Sequence, residues 1–157
     1  MVQYRHRKGK EVKRMKKEFW FDMDGTIANL YGVEGWLQML ENEDTTPYAK
    51  ALPLVNMARL AKALHKAQRN GYTIGILSWT SRNGNPAYNE AVATAKREWL
   101  HRHLRSVEWD FIEIVPYGTP KQTIGAGVLF DDEEHNRNEW GDGAHTPDEI
   151  FEVLANL

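Results

Sequence analysis

Residues 18–26, EFWFDMDGT, constrain this chain more than any other stretch. An apolar, β-prone run of Phe19, Trp20 and Phe21 leads straight into Asp22, Met23, Asp24, Gly25 and Thr26. Side chains alternate between faces along a strand, so carboxylates two positions apart at its end start on one side. Gly25 lets the chain turn sharply just beyond. Two acids held where a buried strand opens to solvent can hold a hard cation, and one of them can attack an electrophile. That is the minimum equipment for phosphoryl transfer through a carboxylate nucleophile. A strand-end Asx turn is the plainer reading of the same DxDG string, and the motif alone does not separate the two.

The rest of the chain bounds the choice. Its 157 residues predict one domain, large enough for a real core. Hydrophobic content of 41% and charged content of 27% are those of an ordinary globular protein. No apolar run approaches the roughly 18 residues of a membrane span, and the basic N-terminus lacks the apolar stretch and cleavage site of a secretory signal. The absence of cysteine excludes disulfides and thiolate metal sites and fits a reducing compartment, so the cytoplasm is expected.

A net charge of −2 conceals an asymmetry. Residues 1–17 carry eight Lys/Arg and one acid, Glu11, which leaves 12 bases against 21 acids in residues 18–157. Such a stretch can bind nucleic acid or another anionic partner. A solvated, disordered leader is the more general fate of a charge run, and it is the expectation for residues 1–17. Met15 begins MKKEFWFDMDGT, a natural start, so residues 1–14 are expected to be an extension of the reading frame.

Beyond that point strands and helices alternate. Residues 18–23 read as strand one, 33–41 as a short helix, and ENEDTTP as a polar connection. A longer helix is predicted from about Pro53 to Asn70, with Leu54, Met57, Leu60, Ala61 and Leu64 on one face and Gly71 just past its end. Tyr72 to Leu77 is an apolar run suited to a parallel sheet. A helix over about 87–104 follows the loop Asn83–Pro86, then strand three at Phe111–Val115 and strand four at Gly127–Phe130. Thr146-Pro147-Asp148-Glu149 reads as a capping box opening the last helix.

This alternation predicts a three-layer α/β fold around a mostly parallel sheet, whose ligands bind beyond the carboxyl ends of the strands. Other chemical residues should then also follow strands, and they do. Strand two ends in Ser78, Trp79 and Thr80, strand four ends in Asp131, Asp132 and Glu133, and Lys121 lies in the GTPKQ turn before strand four.

The set Asp22, Asp24, Ser78, Lys121, Asp131 and Asp132 resembles the haloacid dehalogenase-like (HAD) superfamily of Mg²⁺-dependent phosphohydrolases. Phe21–Thr26 is similar to its first motif, Ile74–Ser78 to its second, Lys121 to its third and Val128–Asp132 to its acidic fourth, in that order across residues 18–157. The resemblance implies a Rossmann-like core with strand order 4-1-2-3 and a small helical cap, residues 27–52, inserted after strand one. It also implies roles. Asp22 is the nucleophile that forms an aspartyl-phosphate, and Asp24 is the acid and then the base, a duty that asks for a pKa lifted towards neutrality. Ser78 grips a phosphoryl oxygen, with Trp79, Gly25 and Thr26 around the phosphate, while Lys121 neutralises it and restrains Asp22. Mg²⁺ is implied on Asp22, the backbone carbonyl of Asp24 and Asp132, with Asp131 as outer support. Family members that dehalogenate carbon lack the second acid, so Asp24 implies hydrolysis of a phosphate ester.

The DMDGT start, the small cap, the KREWLHRHL helix and LFDD most resemble the 5′(3′)-deoxyribonucleotidase-type members, which implies a nucleoside monophosphate as substrate. The cap is shorter than theirs, and Ser78-Trp79-Thr80 departs from their usual sequence, so their nucleotide-reading residues do not carry over. A polynucleotide terminal phosphatase, held on its substrate by the basic tail, is an alternative of the same chemistry. A non-catalytic binding module on the same fold is one of a different class. Trp79 stands where it can stack on a base or simply pack. The histidines show no metal-ligand spacing, since His101 and His103 lie two apart on a predicted helix.

Overall fold

The computed structural model describes residues 4–7, 10–13 and 17–157. Five strands, β1 (Glu18–Phe21), β2 (Thr73–Trp79), β3 (Phe111–Val115), β4 (Val128–Phe130) and β5 (Ala144–His145), form one parallel sheet in the order β3-β2-β1-β4-β5. The predicted order 4-1-2-3 is the observed one, extended by β5 beyond β4. Strand β1 takes the centre because Phe19 and Phe21 on one face and Trp20 on the other all need cover. In register, Phe19 meets Ile74 and Val128, and Phe21 meets Ile76 and Phe130.

Helices supply the cover: α1 (Trp36–Glu41), α2 (Thr46–Lys50), α3 (Met57–Arg69), α4 (Pro86–His103), α5 (Glu134–Trp140) and α6 (Ile150–Ala155). On one face Phe19, Phe21, Ile74, Ile76 and Phe130 pack with Leu60 and Leu64 of α3, Trp99 and Leu100 of α4, and Ile150 and Leu154 of α6. Burying a side chain of this size contributes about 1.5–3 kcal/mol. On the other face Trp20, Leu77 and Leu129 meet Val115 and Trp140 of α5. Trp20 fits because its strand partner is Gly75, where a Cβ would stand 2.6 Å from the indole.

The insertion after β1 is pinched at its base by a two-residue antiparallel ribbon, Ala28–Asn29 against Leu52–Pro53. Helices α1 and α2 lie within it, and Tyr48 of α2 packs with Leu30 and with Tyr88, Val92 and Ala95 of α4. This seats the insertion above the carboxyl ends of β1 and β2.

Several expectations shift. Helix α3 starts at Met57 rather than Pro53, because Pro53 belongs to the ribbon and the Asn56 side chain caps the helix by accepting from Arg59 N at 2.9 Å. The ENEDTTP connection contains the start of α2, where Asp44 Oδ1 accepts from Thr46 N at 2.9 Å. Helix α5 and strand β5 were not expected from the sequence. The capping box at Thr146 is present, opening on a 3₁₀ turn before α6.

Within the basic leader, the backbone of Tyr4–Arg7 pairs antiparallel with that of Lys10–Lys13. The remainder of that leader up to residue 16 lies outside the described residues. Among the described residues no helix is long and apolar enough to cross a membrane.

Candidate active site

Strand β1 delivers Asp22 to the rim of the sheet, and Asp22 N donates to Phe130 O of β4 at 2.9 Å. The chain then turns on Met23, whose carbonyl accepts from the amides of Thr26, Ile27 and Ala28, each at 3.0 Å. Gly25 sits in this turn with φ of +80°, a conformation that disfavours any side chain. A second reason for glycine is local: a Cβ there would stand 2.3 Å from Asp132 Oδ2. The turn also buries Thr26, which donates to Asp22 Oδ2 at 3.1 Å, while its hydroxyl oxygen accepts from Asp132 N at 3.2 Å.

Lys121 opens a 3₁₀ turn ahead of β4 and is buried. Its ammonium donates to Asp22 Oδ1 at 3.0 Å and to Asp131 Oδ2 at 2.7 Å. Burial alone would pull the Lys121 ammonium down, but Asp22 and Asp131 outweigh it and push it up. Asp131 is wholly buried with both oxygens engaged. Oδ2 also accepts from Asn136 Nδ2 at 3.2 Å, and Oδ1 accepts from Glu133 N at 2.9 Å. Its carboxyl is pushed up to about 6 by burial and by Asp22. Asp132 has fewer commitments and is pushed up to about 8, again by burial and then by Asp22.

Asp22, Asp131 and Asp132 each offer a carboxylate oxygen, and the three lie within 4.8 Å of one another. Including Asp24, four acids converge on two ammonium groups, Lys121 and Lys96. Crowded carboxyls with raised pKa values and an excess of two acids suit a small divalent cation with oxygen ligands. The two oxygens of Asp131 already accept three hydrogen bonds, those of Asp22 accept one each, and Asp132 accepts one at Oδ1, so Asp22 and Asp132 are less committed than Asp131.

Asp24 turns its side chain away from this cluster. Its Oδ2 accepts from Lys96 Nζ at 2.8 Å, and burial raises its carboxyl despite the opposing pull of Lys96. The same Nζ donates to Ser78 Oγ and to Trp79 O, each at 2.7 Å. Sequence reasoning missed Lys96. A signal was present, because a lysine four residues after Val92 and three before Trp99 falls on the apolar stripe of α4. Asn136, behind Asp131, left no comparable mark.

A cavity of about 510 Å³ opens above Asp22, Asp24 and Lys121. The insertion contributes Tyr31, Trp36 and Tyr48 to its wall, and the core contributes Trp79 and Tyr117. Trp79 is fixed in that wall. Its Nε1 donates to Thr119 O at 2.9 Å, its ring lies 4.8 Å from that of Tyr117, and Lys121 Nζ lies 5.4 Å from its centroid. Tyr31 is pushed up by burial and by Asp24, Asp132 and Asp22, so its hydroxyl stays protonated beside the acids. Among the described residues no histidine lines this cavity; the His103 ring of α4 lies against Trp99 in a tilted arrangement, with centroids 4.4 Å apart.

No protein-family model matches the chain, and no curated protein does. Among solved structures it is similar to a D,D-heptose 1,7-bisphosphate phosphatase from Burkholderia thailandensis. That likeness has a TM-score of 0.56 at 13% identity and covers 90% of this chain and 97% of the other. The two share a fold. The five-stranded parallel sheet flanked by helices is the Rossmann-like α/β core expected from the sequence.

Proposed function

We propose that this protein hydrolyses phosphate monoesters through an aspartyl-phosphate, with Mg²⁺ as cofactor. One observation supports this most: Asp22, held by Lys121 and Thr26, lies on the floor of a cavity beside a second acid, Asp24, which has its own cation. The fold shared with a phosphatase agrees with the reaction class.

In this reading an Asp22 carboxylate oxygen attacks phosphorus as the bond to the ester oxygen breaks, and that oxygen takes the proton of Asp24. A water then gives a proton to Asp24 while its oxygen attacks the aspartyl-phosphate. The bond to Asp22 breaks, inorganic phosphate leaves, and both carboxyls are restored. Lys121 and the Ser78 hydroxyl offset the charge of the phosphoryl oxygens, where most of the catalytic work lies. Asp22, the Asp24 carbonyl and Asp132 would hold Mg²⁺, which when bound supplies further neutralisation. Asp131 keeps Lys121 in place behind them.

The wall of the cavity favours a planar, singly phosphorylated substrate such as a nucleoside monophosphate. Tyr31, Trp36, Trp79 and Tyr117 offer aromatic surface, while Glu41, Glu43 and Glu133 outnumber Arg82 in the wall and weigh against a second phosphate. The test is phosphate release from nucleoside monophosphates, sugar phosphates and phosphorylated oligonucleotides, with Mg²⁺ or EDTA. Nucleoside monophosphates should turn over best, and Asp22→Asn should abolish turnover. Undiminished activity of Asp22→Asn would remove the nucleophile. Inactivity on the whole panel with Mg²⁺ still bound would favour a binding module.

The eight Lys/Arg of residues 1–17 favour a second reading, removal of a terminal phosphate from a polynucleotide. Steep salt dependence on oligonucleotides, lost on deleting residues 1–14, would select it.

A further inference from the structure

The most unusual charged group in the molecule is Lys96. It is 1% exposed on the inner face of α4, among Val92, Ala95 and Trp99. We propose that Lys96 is a positioning residue that sets the Asp24 carboxyl and the Ser78 hydroxyl as one unit, so that proton donor and phosphate grip are aligned together. The inference rests on the phosphatase reading above and deepens it.

Hydrogen-bond arithmetic carries the argument. An ammonium has three hydrogens and no acceptor. Those of Lys96 go to Asp24 Oδ2 at 2.8 Å, Ser78 Oγ at 2.7 Å and Trp79 O at 2.7 Å. None is left for a substrate, so Lys96 acts only through its neighbours. Lys121 differs, since its bonds to Asp22 and Asp131 use two hydrogens and leave a third.

The consequences fall on the two acceptors. With Oδ2 held, Asp24 keeps Oδ1 for the proton it exchanges. With its oxygen accepting from an ammonium, Ser78 must send its single hydrogen to another acceptor, and the bond it donates is strengthened by the one it accepts. The third anchor, the carbonyl of Trp79, ties both to the end of β2. The insertion closes the remaining side, where Nζ lies 5.2 Å from the centroid of the Tyr48 ring. One buried cation thus joins the turn after β1, the end of β2, α4 and the insertion at the point where a leaving group would depart.

The test exploits leaving-group chemistry. A p-nitrophenolate departs without a proton, whereas an alkoxide needs one. If Lys96 aims Asp24, Lys96→Met should lower kcat/KM for glycerol phosphate by about 100-fold, the scale of lost general acid catalysis. The loss on p-nitrophenyl phosphate should stay below about 10-fold, reflecting the weakened Ser78 contact alone. Lys96→Arg covers the case in which Met at 96 does not fold: it keeps the charge but cannot point one nitrogen at three acceptors, so a smaller loss with the same inequality is expected. Equal losses on the two esters in a folded variant, or no loss, would overturn the inference and leave the phosphatase reading intact. A wild type inactive on both esters would overturn that reading and this inference with it.

Discussion

Lys121 Nζ lies 3.0 Å from Asp22 Oδ1, although 99 residues separate them in the chain. The contact exists because β1 and β4 are parallel neighbours, so the turn before β4 comes back over the end of β1 beside Asp131. A buried cation between two carboxylates fixes where the first of them points.

Removing that cation should show in two ways. Lys121→Met is expected to cut turnover by about 10²–10³, the usual loss when a charge-stabilising group is deleted. It should also destabilise the fold in EDTA at pH 8 by about 3–5 kcal/mol, the scale of a broken buried ion pair. At pH 5 the destabilisation should be smaller, because Asp131, at about 6, takes up a proton and no longer needs the cation. Chemical denaturation at the two pH values measures the difference.

The raised carboxyls set a direction for stability against pH. Asp131 at about 6 and Asp132 at about 8 hold their protons longer in the folded protein than in the unfolded chain, where a carboxyl titrates near about 4. From about pH 4 to 8 the folded state therefore binds more protons through these groups, and their contribution to stability is lost as pH rises. Thermal scans in EDTA should show Tm falling across that window. Saturating Mg²⁺ should flatten the upper part, since the ion binds the ionised form.

Asp131 and Asp132 should separate by experiment. Asp132→Asn is expected to weaken Mg²⁺ binding by at least about 10-fold while raising Tm in EDTA at pH 8, because a crowded charge is gone. Asp131→Asn should cost more stability than metal affinity, since its oxygens serve Lys121, Asn136 and Glu133 N. Calorimetric Mg²⁺ titration and thermal scans on both variants read the two effects. The opposite pattern would make Asp131 the ligand.

Gly25→Ala should fail twice over. A left-handed backbone costs a side-chain-bearing residue roughly 1–2 kcal/mol, and the new methyl would collide with the Asp132 carboxylate. Loss of Mg²⁺ affinity beyond what the drop in Tm explains is the expected signature.

Much of this architecture was written in local pattern. The apolar run at Phe19–Phe21, the continuous run ending in Ser78 and the capping box at Thr146 each carry a signal within a few residues. The placing of Asp22 and Asp131 at one rim followed from adding a rule about strand ends, whereas the strand order and the part of Lys121 came only with the resemblance to a known family. Helix α5 and the two-residue strand β5 lay beyond that reach, because Glu134–Trp140 is polar and Ala144–His145 too short to show a period. The position of Ser78 at the end of an apolar strand was legible; that its hydroxyl accepts from a buried lysine was not.

Lys96 shows where the boundary runs. A lysine on an apolar stripe announces that it is buried, yet its partners lie in the turn after β1 and on β2, 72 and 18 residues away. Periodicity is a property of neighbouring residues and survives in one dimension. Which buried charge meets which depends on how helices and strands stack, and that is decided only when the desolvated groups must find partners across the packed core.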